Sequence, residues 1–246
     1  MKILVCISHV PDTTAKIAFV DNNKSYNKEG QQFIIGPNEE LALTRAIDIK
    51  EAKGGNITAL TVGSAEVEPT LRKALAMGAD DAIRVNMDPK DAFNVSKQIA
   101  EVAKANQYDV ILTGREAIDY NGGQVGEMIA EWLIYPSVSG VNDMDLEPGK
   151  AILKREIDGG YEKIECDFPL IITGQKGIAA EPKIPAMRGI MMARKKPLIV
   201  VEPVQSDNAT EVLEHSLPAS KASCKMVSAD DMNELVRLLH EEAKVI

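Results

Sequence analysis

Short aliphatic runs alternate with stretches of helical periodicity through residues 1–135, and this alternation limits the fold more than any other feature of the chain. Residues 2–8 (KILVCIS), 56–62 (NITALTV), 81–85 (DAIRV) and 108–113 (YDVILT) read as strands. Asn38 is a candidate N-cap for a helix over 38–53, with Glu39 and Glu40 in the first turn and Gly54-Gly55 as its stop. Its apolar side is Leu41, Leu43, Ala46 and Ile47. Pro69 fits the first turn of a helix that Gly78 ends. Asp91 caps a third, in which Val95, Ile99 and Val102 recur at helical spacings, and a fourth lies near 124–134. Strands alternating with helices in this way build a largely parallel, twisted sheet with helices on both faces, an α/β fold.

A second regime begins near residue 140. Residues 150–157 and 161–167 flank Asp158-Gly159-Gly160, a hairpin signal because glycine readily takes the positive φ of a primed turn. Apolar runs at 170–173 and 198–201 read as further strands, and 174–197 carries little periodicity. Residues 205–227 read as an extended polar arm. Residues 229–243 read as a terminal helix with Leu235, Leu238 and Leu239 on one side.

Charge and cysteines exclude several functions. Lys and Arg total 28 against 37 Asp and Glu, a net charge of −9, which argues against a broad nucleic-acid footprint. No window approaches a membrane-spanning length of apolar residues, so no direct membrane insertion is expected. The run Ile3–Ile7 is too short for a signal-peptide core, and the first Arg is Arg45, against an Arg-rich presequence. Three widely spaced cysteines (Cys6, Cys166, Cys224) make no metal pattern with His9, His215 and His240. A reducing, cytoplasmic location and no bound metal are expected.

Two stretches carry chemistry. The loop 113–126, TGREAIDYNGGQVG, joins a strand to a helix where open α/β sheets collect ligands. Its glycines Gly114, Gly122, Gly123 and Gly126 would let backbone approach a phosphate, and Asp119 could meet a ribose or an adenine amine. The spacing is neither a Walker loop nor GxGxxG, and by itself the stretch reads equally as a plain turn or a nucleotide loop. Loops after the first strand (Cys6 to Asp12) and the second (Val62 to Ala65) would share its rim. The other stretch, 181–197, holds Lys183, Arg188, Arg194, Lys195 and Lys196 among Ile184, Met187, Ile190, Met191 and Met192. It reads as a partner-docking surface or as a basic connector, since flexible methionines repack against varied shapes. No Ser-His-Asp or Cys-His arrangement is evident, and no catalytic residue is assigned.

Several motifs in register resemble the electron-transfer flavoprotein beta subunit. They are Arg155–Glu162 followed by Pro169 and Ile171-Ile172-Thr173, Ala74–Asp80, Gly114–Gly126, and Ile190–Lys196. The likeness covers roughly residues 1–203, read as an adenine-nucleotide-binding, Rossmann-like domain. Residues 204–246 would be an arm and helix packing on an alpha subunit. The resemblance implies a non-catalytic carrier in a heterodimer whose redox FAD lies mostly on the alpha subunit. Electrons would pass from acyl-CoA or other dehydrogenases to a quinone oxidoreductase or similar acceptor. It also implies a structural AMP, or in bifurcating relatives a second FAD, held by Cys6, Gly36, Pro37, Asn38, Glu39, Val62, Gly63, Gly114, Arg115, Asp119, Asn121, Gly122, Gly123, Gln124 and Val125. The docking loop would be 181–196, with Ile184, Met187, Arg188, Ile190 and Met191 meeting partners and Met187 standing where the family usually has a Leu anchor. A free-standing nucleotide-binding module and an adenylate-processing enzyme are the competing readings; the latter lacks a pyrophosphate loop.

Overall fold

The computed structural model describes residues 1–221 and 223–246. The chain opens with β1 (Lys2–Cys6), then β2 (His9–Pro11), β3 (Phe19–Val20), β4 (Ser25–Tyr26) and β5 (Phe33–Ile35), followed by α1 (Pro37–Lys53) and β6 (Asn56–Val62). Next come α2 (Glu68–Met77), β7 (Asp81–Val85), α3 (Ala92–Asn106), β8 (Val110–Gly114) and α4 (Val125–Leu133). The remainder holds β9 (Ser137–Glu147), β10 (Lys150–Ile157), β11 (Gly160–Asp167), β12 (Leu170–Gly174), α5 (Met187–Ala193), β13 (Leu198–Val201) and α6 (Met232–Arg237).

Nine strands form one sheet in the order β11-β10-β9-β12-β8-β1-β6-β7-β13. From β9 to β13 every neighbouring pair is parallel, and the β10–β11 hairpin extends the β9 edge antiparallel. The continuous apolar runs follow from burial on both faces. In β1, Ile3 and Val5 join Leu43, Ile47, Leu71 and Leu75 of α1 and α2. Leu4 and Cys6 join Ile99, Ala103 and Ile129 of α3 and α4 on the other side.

Several expectations are corrected. Gly36, not Asn38, is the N-cap of α1, with Pro37 in its first turn and no side chain capping it. Asn38 lies inside the helix, and its Nδ2 donates to the Glu116 carbonyl at 3.2 Å. Strand β1 stops at Cys6 because the chain after Ser8 turns into β2, which pairs antiparallel with β5. The long strand β9 has no counterpart in the sequence reading. Its buried positions Val138, Val141, Met144 and Leu146 break strict alternation, and the register shifts opposite Lys154/Arg155 show why. The seven-residue α5 also lies where no periodicity was legible. The terminal helix begins at Met232, behind an Asp231 cap, and is π-wound over Leu238–Ala243; of the three leucines expected on one side, only Leu238 is buried.

The expected arm, 205–227, includes residue 222, which lies outside the described residues. Its first part is strapped to the body. Gln98 of α3 pairs with both backbone groups of Val204 at 2.8 Å, and Asn94 bonds Ser206. Asp91 Oδ2 accepts from the N–H groups of Ala209 and Thr210. Further on, His215 donates its N–H to the Asn23 carbonyl at 2.8 Å and stacks on Phe19. Leu213, Leu217, Met226, Met232 and Val236 are exposed. No described helix is long and apolar enough to cross a membrane.

Candidate functional site

Parallel pairing of β8, β1 and β6 brings Gly114, Cys6 and Val62, each the last residue of its strand, to one sheet edge. Cys6 is buried, and desolvation, then the charge of Glu39, pushes its thiol far above the ordinary range. It therefore stays a neutral packing group and no nucleophile. Val62 is buried beside Val85. Gly63 has both backbone groups engaged: its N–H donates to Val85 O at 3.0 Å, and its carbonyl accepts from Arg84 Nη1 at 3.0 Å. Gly63 thus shapes the wall of the rim by close approach to Val67, with its one donor already committed.

Glu39 lies at the centre of this edge. It is 5% exposed, and Ser8 Oγ donates to its Oε1 at 2.6 Å while Oε2 is buried without a partner. A methyl group at Gly36 would overlap both Glu39 and Ser8, and one at Gly114 would come within 2.7 Å of the Glu39 carboxyl carbon. The two glycines are there to admit this side chain. Desolvation pushes the Glu39 carboxyl up, against the pull of the Ser8 hydroxyl and its own backbone, and Asp119 pushes it further. Asp119 is itself raised, chiefly by desolvation, although Tyr120 N–H donates to its Oδ1 at 2.9 Å.

The loop leaving β8 folds back on itself. Arg115 N–H donates to Gly174 O at 2.8 Å, and its guanidinium reaches Gln175 and Glu116. Ala117 N–H donates to Gly122 O at 3.0 Å across a turn in which Asn121 takes a positive φ of 51°. Gly122 borders open space, whereas Gly123 lies against the Arg115 carbonyl. Gln124 then opens α4, of which Val125 is the first residue, and no side chain caps this helix. Uncapped N–H groups at a helix start attract an anion. The rim therefore combines raised carboxyls, which suit hydroxyl or amine donors, with an anion-seeking helix end. Among the described residues no acidic, His or Cys cluster could hold a metal.

Sequence reasoning missed Ser8 and Arg84. Arg84, with a side chain 7% exposed, ties Glu68, Gly63 and Asn86 together behind the rim. A buried arginine inside a strand leaves no mark in spacing.

A second surface lies on α5. Ile184, Met187 and Met191 are 87%, 75% and 67% exposed, with Ile190 and Met192 about half exposed. Arg72 of α2 donates to the carbonyls of Ala193 and Lys196 at 2.8 Å, and Lys196 Nζ returns to the carbonyls of Leu75 and Ala79. A methyl at Gly189 would come within 2.5 Å of Ala76 O, so α5 lies tight on α2. The five cations of the stretch are not equivalent. Lys183 pairs with Glu51 and Asp48, and Lys196 is spent on carbonyls. Arg188, Arg194 and Lys195 have no acidic partner among the described residues and flank the apolar patch.

A family model described as Electron transfer flavoprotein domain matches residues 24–218. The electron transfer flavoprotein subunit beta of Bacillus subtilis is 36% identical over the whole of both chains. The human electron transfer flavoprotein subunit beta is 32% identical, covering 82% of each chain. The acryloyl-CoA reductase electron transfer subunit gamma of Anaerotignum propionicum is 34% identical over 82% of this chain and 78% of that protein.

Proposed function

The chain belongs to the electron transfer flavoprotein family, with the beta subunits, and from that premise we propose that it is the beta half of a cytoplasmic heterodimer that carries electrons from acyl-CoA or other dehydrogenases to a quinone oxidoreductase or similar acceptor. The observation that carries this reading is the gathering of two raised carboxyls, Glu39 and Asp119, and the uncapped start of α4 at one sheet edge.

These residues fit an AMP. Glu39 and Asp119 would receive hydrogens from amine or ribose hydroxyl groups, and the N–H groups of Gln124, Val125 and the residues after them would meet the phosphate. The AMP would be structural. FAD supplies the redox chemistry, accepting and releasing electrons, and would be held mainly by an alpha subunit. Of the few aromatic residues in this chain, only Tyr120 stands in the glycine loop, which suits backbone recognition better than flavin stacking. Residues 204–246 would be the arm that packs on alpha; exposed Leu213, Leu217, Met226 and Met232 support this reading. Ile184, Met187, Arg188, Ile190 and Met191 would receive dehydrogenases, the apolar side chains giving affinity and the unpaired cations speeding encounter.

A second reading, with FAD in place of AMP on this rim, is favoured by the likeness to a subunit of an acryloyl-CoA reductase and by the open space beside Gly122. One experiment separates the two: coexpress the chain with its alpha partner, denature the purified complex and count released nucleotides. One FAD and one AMP per heterodimer supports the first reading, and two FAD the second. A colourless monomer overturns both.

A further inference from the structure

We propose that the methionines of α5 form a site of reversible oxidation by hydrogen peroxide that disconnects the protein from its electron donors; this rests on the docking role given to α5 above. Of the ten methionines in the chain, Met187, Met191 and Met192 are 75%, 67% and 48% exposed within a single helix of seven residues. Met187 and Met191 are one helical turn apart, so their thioethers share a face with Ile184 and Ile190 close by. By contrast Met77 and Met144 are 5% and 0% exposed in the core. Met226 and Met232 are also exposed, at 86% and 61%, but lie in the arm assigned above to the alpha subunit, so in the heterodimer oxidant in water reaches the docking methionines well before the core.

The chemistry is complete with peroxide alone. The thioether sulfur attacks one peroxide oxygen, the O–O bond breaks and an S–O bond forms. Sulfur is oxidised by two electrons, and the other oxygen leaves as water once a proton is transferred to it. The product is a polar sulfoxide in place of an apolar, polarisable side chain. A partner surface that buries the patch would then have to desolvate that dipole. Each buried thioether supplies enough hydrophobic contact for roughly a tenfold change in affinity or more. Backbone and helix stay as they are, because Arg72, Lys196 and Gly189 hold α5 to α2 without using any methionine side chain. A thiol-driven methionine sulfoxide reductase restores the surface.

The test uses the flavin-loaded heterodimer with Cys224→Ser, which removes an exposed thiol. The complex is treated with hydrogen peroxide, and oxygen gain is mapped by peptide mass. The rate of flavin reduction by a dehydrogenase is then measured before and after reductase treatment. Expected are early oxidation at Met187, Met191 and Met192, a rate lowered about tenfold or more at unchanged flavin content and melting temperature, and recovery with reductase. In a variant carrying Met187→Leu, Met191→Leu and Met192→Leu, the ratio of treated to untreated rate stays near one. The proposal is overturned if these methionines oxidise no faster than Met77 and Met144, if the oxidised complex is reduced at its untreated rate, or if the leucine variant is equally sensitive. Failure of the docking reading has its own signature: Met187→Ala, never exposed to peroxide, is then reduced as fast as the parent.

Discussion

Ser8 donates its hydroxyl hydrogen to Oε1 of Glu39 at 2.6 Å, joining the link between β1 and β2 to the first turn of α1 and leaving the other carboxyl oxygen buried and alone. The carboxyl is desolvated and raised above its ordinary range, so folding favours the protonated form. For an acid with a raised folded pKa, stability is greatest below the unfolded value, about 4.3 for Glu, and is lost as pH rises through the folded value.

Glu39→Gln removes that titration. The free subunit should gain on the order of 1 kcal/mol at neutral pH, the usual scale for an unsatisfied buried group. The difference between variant and parent in urea unfolding should grow from pH 4 upward and then level off. A difference independent of pH would contradict this account of Glu39.

Asp91 works on two segments at once. Its Oδ1 caps α3 through Asn94 N–H at 2.7 Å, and its Oδ2 holds the amides of Ala209 and Thr210. Desolvation raises this carboxyl, but the three backbone donors outweigh it and bring the net shift down. Its contribution is therefore present above the ordinary aspartate value, about 3.9, and is lost as pH falls through the lower folded value. Asp91→Asn can still cap α3 but offers the arm an N–H₂ in place of an acceptor. Amide exchange at Ala209 and Thr210 should rise several-fold, with that of α3 nearly unchanged. Asp91→Ala should also destabilise α3 by about 1 kcal/mol.

Ile134 ends α4 in the left-handed region at φ 56° and is 92% exposed. A β-branched residue is strained there by roughly 1–2 kcal/mol and returns no burial. Ile134→Asn should raise stability by about 0.5–1 kcal/mol, read as a higher melting temperature. An unchanged or lower melting temperature would mean that the side chain has a partner worth more than the strain.

Met187→Ala should slow flavin reduction by a dehydrogenase about tenfold at unchanged flavin content. Loss of flavin instead would assign α5 a structural role.

Strands β1, β6, β7 and β8 were legible because each is an almost wholly buried run, whereas the two- and three-residue strands β2–β5, outside the large sheet, are too short to leave a pattern. Strand β9 was not legible either, since its bulge shifts the apolar positions from Val138 to Val141 before regular alternation resumes at Met144 and Leu146. At the rim, glycines and acids could be read because each has a local meaning. The contacts that organise them could not. Ser8 with Glu39 and Arg84 with Gly63 join residues 31 and 21 positions apart, and only the closed sheet brings them together. The cap of α1 was misread for a related reason: Asn38 has an acceptor at Glu116, 78 residues on, which sequence-local rules do not see.

The anchoring of α5 to α2 has a kinetic consequence. Because Arg72 and Lys196 fix the backbone of that helix from both directions, nothing in the main chain has to become ordered when another protein arrives. The fitting that remains is done by thioether rotamers, which hop in picoseconds to nanoseconds when exposed. Association at this surface should then be limited by diffusion and charge steering, with rates that fall as salt rises, and one stiff helix can serve several donors by changing only the positions of its side chains.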